Sequence, residues 1–198
     1  MRFLVLVIGL LMVFAPSRGL AGDPEAGRRK AAPCVACHGP DGNASMPAMP
    51  SLAGQPEFYL HWQLILFRDN RRRDPQMSPF ATNLSDEDMG DLAAYYASQK
   101  PTAKPAAARE AETMADGRRI AQFYHCASCH APEIPGQRYA PNITGQPYEY
   151  LLKQLRGFKA QTRGELEGAM TSAAQPLSAE EIEILARYLA ALPPATRP

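Results

Sequence analysis

The hydrophobic residues of this chain recur at the spacing of amphipathic α-helices, and no segment alternates as a β-strand would. Residues 55–68 and 146–159 each carry an apolar stripe of aromatic residues and leucines. Residues 85–96 and 178–189 repeat the pattern, and each begins with a serine followed three residues later by an acidic residue. That spacing is typical of a helix N-terminus, because both side chains bind free backbone N–H groups there. The pattern predicts an all-α protein.

The N-terminal apolar stretch has a different character. Arg2 is followed by an almost unbroken apolar run from residue 3 to residue 15. The run is too short to cross a membrane and has the length of a signal-peptide core. Gly19 and Ala21 supply small residues at the −3 and −1 positions of a cleavage site after Ala21. We predict a cleaved signal peptide over residues 1–21, with an uncleaved membrane anchor as the alternative.

Internal repetition divides the rest of the chain into two domains. Short sequences of the first half recur in the same order 91 to 93 residues later, and this constant offset indicates duplication of a whole domain. A connector rich in proline and small residues follows Lys100, which places the boundary near residue 104. The predicted domains are residues 22–103 and 104–198. The matched positions include Pro50–Pro56 with Pro141–Pro147, Tyr59 with Tyr150, Phe67 with Phe158, and Tyr95 with Tyr188.

Charge is nearly balanced, with 21 Lys plus Arg against 20 Asp plus Glu. The segment 1–21 contains two of the basic residues, so the mature chain is close to neutral. A nucleic-acid-binding surface is excluded on this ground.

The candidate chemistry lies in two Cys-x-x-Cys-His motifs, Cys34–His38 and Cys126–His130, which use all four cysteines of the chain. This spacing is the signature of covalent haem c attachment. Two thiols on a short helix reach the two vinyl groups of one porphyrin, and the next histidine lies under the iron. A redox dithiol, a local disulfide and half of a zinc site are the alternatives. The motifs predict two haem c groups bound through Cys34, Cys37, Cys126 and Cys129, with His38 and His130 as axial ligands.

The basic run Arg71–Arg73 is interpreted as a solvated loop, with pairing to haem propionates or docking of a partner as alternatives.

Methionines are candidates for the opposite face of each iron. Met77 lies 39 residues beyond His38, and Met170 lies 40 residues beyond His130. Met170 is the only methionine after the second motif, and both residues precede the last capped helix of their domain. A thioether ligand there favours electron transfer over ligand binding. We predict Met77 and Met170 as the distal iron ligands.

Other residues compete for that role. Met46 and Met49 have no counterpart in the second half, and Met89 aligns with Ile182 and is therefore predicted to lie in the core. His125 directly precedes Cys126, so its side chain is poorly oriented to reach the distal face of the iron. His61 is interpreted as a surface or packing residue.

Taken together, these features resemble the dihaem cytochrome c4 family over nearly the whole mature chain. The resemblance rests on the paired motifs, Leu52–Pro56 with its repeat, Met77 in Met-Ser-Pro-Phe, and residues 84–96. It implies two tandem all-helical cytochrome c domains whose haems face each other across the domain interface. It also implies that the carbonyl groups of Pro50 and Pro141 accept a hydrogen bond from the ligating histidines, although both can be read as turn prolines only.

The family resemblance also implies a function. It points to a periplasmic electron carrier, soluble or loosely attached to the membrane, with redox proteins rather than small molecules as partners. The implied donor is a quinol–cytochrome c reductase, and the implied acceptor is a haem–copper terminal oxidase. Two departures set the second domain apart: residues 131–136 are atypical, and the segment before Met170 is longer by two residues than its counterpart.

Two other functions remain open from the sequence. The chain could be the cytochrome subunit of a flavocytochrome sulfide dehydrogenase, which would need a separate flavoprotein because the chain has no flavin motif. It could also be a dihaem enzyme with one open haem, which the two spaced methionines argue against. We predict an electron carrier rather than an enzyme.

Overall fold

The protein is described by a computed structural model over residues 22–102, 111–130 and 139–194. Within these ranges it contains α-helices, one 3-10 turn and no β-strand, which confirms the all-α prediction. The predicted signal peptide and the predicted boundary at residue 104 lie outside the described residues. The helices are α1 Pro24–Lys30, α2 Val35–His38, α3 Glu57–Arg68, α4 Met77–Ala81, α5 Asp86–Ser98, α6 Ala111–Phe123, α7 Ala127–His130, α8 Tyr148–Lys159, α9 Ala169–Ala174 and α10 Ala179–Ala191.

The same helix arrangement occurs twice. In the first domain α1 and α3 pack against α5, and in the second α6 and α8 pack against α10. The last helix of each domain begins as predicted, with reciprocal caps between Ser85 and Asp88 and between Ser178 and Glu181. Each capping box holds in place the helix on which the rest of its domain packs.

A glycine allows each first helix to approach the last one closely. A Cβ atom added to Gly27 would lie 2.0 Å from the carbonyl oxygen of Asp91, and one added to Gly117 would lie 2.2 Å from Cβ of Tyr188. Such distances leave no room for any larger residue. The two glycines hold equivalent places in the duplicated domain.

Each domain has its own small hydrophobic core. The first is built around Leu60, Leu92 and Tyr96, and the second around Ile120, Phe158 and Leu185. Among the described helices, none is long and apolar enough to cross a membrane.

The two domains meet along equivalent segments. Residues 51–55 of the first contact residues 142–146 of the second, and side chains of α3 and α8 lie along the same interface. Lys153 of α8 also forms an ion pair of 2.8 Å with Asp74, beside α4. The interface therefore adjoins the segments that carry the candidate iron ligands.

Candidate functional site

The first Cys-x-x-Cys-His motif folds as two short turns. A 3-10 turn, Ala32–Cys34, leads into α2, and α2 ends at His38 because Gly39 takes a positive φ of 78°. Burial raises the pKa of Cys34, which disfavours the thiolate form that a redox dithiol or a zinc ligand requires. No disulfide joins any two of the four cysteines. The structure thus gives no support to a local disulfide.

A zinc site is not supported either. Among the described residues, no three His, Cys, Asp or Glu side chains come close enough to hold a metal ion together. The two motifs lie in different domains, each on its own short helix.

His38 has the geometry that an axial haem ligand requires. The residue is 4% exposed, and its Nδ1 lies 2.9 Å from the carbonyl oxygen of Pro50. A carbonyl can only accept, so Nδ1 carries the proton and Nε2 keeps its lone pair. Nε2 is buried and has no partner. Burial lowers the pKa of His38, which keeps the ring neutral, and a buried lone pair without a partner fits an iron atom.

His130 repeats this arrangement and adds the opposite ligand. Its Nδ1 lies 2.9 Å from the carbonyl oxygen of Pro141, and burial lowers its pKa in the same way. Its Nε2 lies 3.4 Å from the sulfur of Met170. The structure therefore brings together the histidine and the methionine that the sequence paired, and the donor set of imidazole and thioether suits haem iron.

Acidic side chains position both methionines. The carboxylate of Asp74 accepts hydrogen bonds from the backbone N–H groups of Gln76 and Met77, where α4 begins. The carboxylate of Glu165 accepts the corresponding bonds from Met170 and Thr171, where α9 begins. The two acids lie 91 residues apart, so they occupy the same place in the repeat. The two extra residues of the second domain therefore lie between Glu165 and Met170.

The competing candidates lie elsewhere. Met89 is fully buried in α5, and its counterpart Ile182 is 1% exposed, as expected for core residues. Met46 is 45% exposed. His125 is exposed and has a φ of 53°, and His61 is half-buried against α5, where burial lowers its pKa. Iron ligation by Met77 and Met170 stays a prediction.

The interpretation of Arg71–Arg73 as a solvated loop is wrong for Arg72. This side chain is 7% exposed, because it crosses the domain interface and lies over the ring of Phe67, with 4.6 Å to the ring centroid. It donates hydrogen bonds to Gln63 in its own domain and to Gln154 and the hydroxyl of Tyr150 in the other. The exposed neighbours Arg71 and Arg73 keep the expected loop character.

Arg163 is the counterpart of Arg72. It lies over Phe158, with 4.1 Å to the ring centroid, and donates to the hydroxyl of Tyr59 across the interface. Its Nε is buried without a partner. Burial, and then the charge of Arg72, lower the pKa of Arg163. Neither guanidinium pairs with a carboxylate of the described residues, so this pair of arginines fits the propionate groups of bound haem.

Sequence reasoning also missed two buried glutamines, Gln55 and Gln146, that cross the interface. Each forms two hydrogen bonds with the backbone of the residue that follows the histidine-binding proline of the opposite domain. A signal was present, because both glutamines recur at the same repeat position before a proline.

Comparison with known proteins gives consistent matches along the chain. The cytochrome c family model matches residues 25–100 and 114–193. Cytochrome c4 of Pseudomonas aeruginosa is 41% identical, over 87% of this chain and 90% of that protein. The crystal structure of reduced recombinant cytochrome c4 from Pseudomonas stutzeri superposes with a TM-score of 0.78 at 34% identity, over 87% of this chain and all of that one. A thiosulfate dehydrogenase electron acceptor of Thiomonas intermedia is 35% identical, over 96% of this chain and 89% of that protein.

Proposed function

This chain belongs to the cytochrome c4 family, and we propose that it is a periplasmic electron carrier that uses two His/Met-ligated haems to deliver electrons to a terminal oxidase. Its two cytochrome c domains carry two covalently bound haem c groups, and its family is one of electron-transfer proteins. The observation that carries the proposal is the contact between Nε2 of His130 and the sulfur of Met170. Ligands on both faces of an iron leave no position for a substrate.

We assign each candidate residue one role. The haem iron supplies one-electron exchange between its ferric and ferrous states. The protein holds the ligands in place, so that little rearrangement accompanies each exchange. The thioether bonds are assigned to Cys34, Cys37, Cys126 and Cys129, the axial ligands to His38 with Met77 and His130 with Met170, and the hydrogen bonds that orient the histidines to the carbonyl groups of Pro50 and Pro141.

Residues around the ligands support this role. Asp74 and Glu165 hold the start of each methionine-bearing helix. Arg72 and Arg163 place two positive charges at the domain interface, where they can neutralise haem propionates. His38 is buried and His130 is partly buried, and burial lowers the pKa of both rings, which keeps the nitrogen atoms assigned to the metal unprotonated.

The compartment and the partners follow from the predicted signal peptide and the family. Covalent haem is attached outside the cytoplasm, so export and the two motifs are consistent with each other. We infer a quinol–cytochrome c reductase as donor, a haem–copper oxidase as acceptor, and loose association with the membrane. The nearly neutral charge suits exchange with protein partners rather than nucleic acid.

Optical spectroscopy and carbon monoxide binding test the ligation. We expect a sulfur-to-iron charge-transfer band in the ferric protein and no carbon monoxide binding by the ferrous protein. Met77→Ala and Met170→Ala should each open one haem and remove part of the band. Rapid carbon monoxide binding by one haem of the unmodified protein would overturn the carrier proposal in favour of a dihaem enzyme.

The similarity to the Thiomonas intermedia protein favours a second candidate, an electron acceptor of thiosulfate dehydrogenase. The chemistry within the chain would be the same, and only the donor would differ. Stopped-flow reduction of the ferric protein by thiosulfate with its dehydrogenase, compared with reduction by quinol with a quinol–cytochrome c reductase, separates the two. Co-purification with a flavoprotein would instead favour the sulfide dehydrogenase subunit.

A further inference from the structure

One peptide group in each domain links the axial histidine to the opposite domain. The carbonyl oxygen of Pro50 lies 2.9 Å from Nδ1 of His38, and the N–H of the same peptide group, which belongs to Ser51, donates to Oε1 of Gln146 over 2.9 Å. Gln146 also donates to the carbonyl oxygen of Ser51 over 2.8 Å, which locks the orientation of its amide.

The second domain contains the equivalent set of hydrogen bonds, with the roles of the two domains exchanged. The carbonyl oxygen of Pro141 lies 2.9 Å from Nδ1 of His130, and the N–H of Asn142 donates to Oε1 of Gln55 over 2.9 Å. Gln55 donates back to the carbonyl oxygen of Asn142 over 2.7 Å. Gln55 and Gln146 are 4% and 6% exposed, so water does not compete for these bonds.

Hydrogen bonds on the two ends of a peptide group reinforce each other. When the N–H donates to a glutamine, electron density moves to the carbonyl oxygen, and the carbonyl becomes a stronger acceptor. A stronger bond to Nδ1–H makes the imidazole a more basic ligand through Nε2. A more basic ligand stabilises ferric over ferrous iron and lowers the reduction potential of that haem.

We propose that each domain sets the reduction potential of the haem in the other domain. Gln146 lowers the potential of the haem on His38, and Gln55 lowers the potential of the haem on His130. The glutamines touch neither iron and act as positioning residues through the Pro50–Ser51 and Pro141–Asn142 peptide groups. The inference rests on iron ligation by the two histidines in the proposed function.

The test is Gln146→Met in the full-length holoprotein, since methionine has a similar volume and cannot accept the bond from Ser51. At a fixed ambient potential, we expect the ferrous-to-ferric ratio of the His38 haem to rise roughly two- to tenfold, a tenfold change being about 59 mV for one electron. The His130 haem should change less. Gln55→Met should raise the ferrous-to-ferric ratio of the His130 haem and change that of the His38 haem less. Each substitution should therefore act mainly on the haem of the opposite domain.

Nuclear magnetic resonance separates the two haems. The methyl signals of the ligating methionines follow each haem through a redox titration, and Met77→Ala and Met170→Ala assign them. In the ferrous protein, the Nδ1–H proton of His38 should move upfield in Gln146→Met, because its hydrogen bond weakens, while that of His130 keeps its position. If Gln146→Met does not fold, the same measurements on the His130 haem and its Nδ1–H proton in Gln55→Met test the proposal.

Tyr139→Ala is the matched control for a loosened interface. Tyr139 packs edge-on against Phe58 of the other domain, with 4.5 Å between ring centroids, and takes no part in the hydrogen bonds of either glutamine. The proposal predicts that this control leaves both potentials nearly unchanged. It is overturned if Gln146→Met shifts neither haem, shifts the His130 haem more, or shifts both as Tyr139→Ala does. Carbon monoxide binding by the same variants reports separately whether the His/Met ligation of the proposed function holds.

Discussion

Asp74 and Glu165 occupy the same place in the two domains, and each binds the backbone N–H of a candidate methionine ligand. The acid lies three residues before Met77 in the first domain and five residues before Met170 in the second. The acid holds the same repeat position in both domains, although the segment between acid and methionine is longer in the second domain. Each methionine thus has an acidic anchor of its own at the backbone, and Met170 also packs against the core of the second domain.

Removal of one anchor should loosen one methionine only. Glu165→Ala deletes the acceptor for two N–H groups at the start of α9, a loss that typically costs about 1 kcal/mol. We expect increased carbon monoxide binding by the ferrous His130 haem and a weaker sulfur-to-iron band, with the His38 haem unaffected. Glu167→Ala removes an exposed acid two residues further on and is the control. Equal effects of the two substitutions would argue against an anchoring role.

Arg163 should contribute both to stability and to a haem potential. The proposed pairing of Arg163 with a haem propionate predicts that Arg163→Met removes the cation of a partly buried pair, and breaking a buried pair typically costs about 3–5 kcal/mol, which sets the upper end of the expected loss. The loss of a positive charge also favours ferric iron, so we expect a lower midpoint potential together with a lower melting temperature. Thermal unfolding and a redox titration measure both. Arg71→Met, in the exposed loop, should change neither, and a stable Arg163→Met protein with an unchanged potential would exclude propionate pairing.

Asp88 should make the first domain sensitive to acid. Hydrogen bonds from Lys30 and Ser85 lower the pKa of Asp88 from 3.8 to about 2. Because the folded pKa lies below the unfolded one, the stabilisation is fully present above pH 3.8 and is lost as pH falls toward 2. The unfolding free energy of Asp88→Asn should therefore depend less on pH within that window. Glu87→Gln, on the exposed side of the same helix, should keep the dependence of the unmodified protein.

Alanine substitutions at two glycines of the first domain should change the free energy of unfolding in opposite directions. In Gly27→Ala the new methyl group would overlap the backbone of Asp91, and overpacking of this kind typically costs about 1–3 kcal/mol. In Gly90→Ala the nearest atom lies 3.8 Å away, so alanine should stabilise α5 by about 0.5–1 kcal/mol. Chemical denaturation of the holoproteins measures both. A neutral Gly27→Ala would mean that α1 can move away from α5.

Local patterns in the sequence were enough to predict the helices, their caps and the approach of Met170 to His130. Each depends on short-range chemistry or on the register of the repeat. The burial of Arg72 was not predictable in this way, because its partners Tyr150 and Gln154 lie about eighty residues away. In sequence, an arginine between two arginines resembles a solvated charge. Its one distinguishing sign is the repeat: Arg163 lies 91 residues after Arg72, and each arginine follows a repeated tyrosine, Tyr59 or Tyr150, at the same spacing.

The crossed glutamines have a consequence for the independence of the two halves. Gln55 and Gln146 each complete a backbone hydrogen-bond pattern that belongs to the other domain. If the chain were cut between the domains, each fragment would retain its cysteines, its histidine and its methionine. Each would nevertheless expose to solvent the peptide group that binds its candidate ligand histidine. Each half thus has the sequence of a complete single-haem unit, yet each depends on a glutamine of the other half for the hydrogen bonds around its histidine.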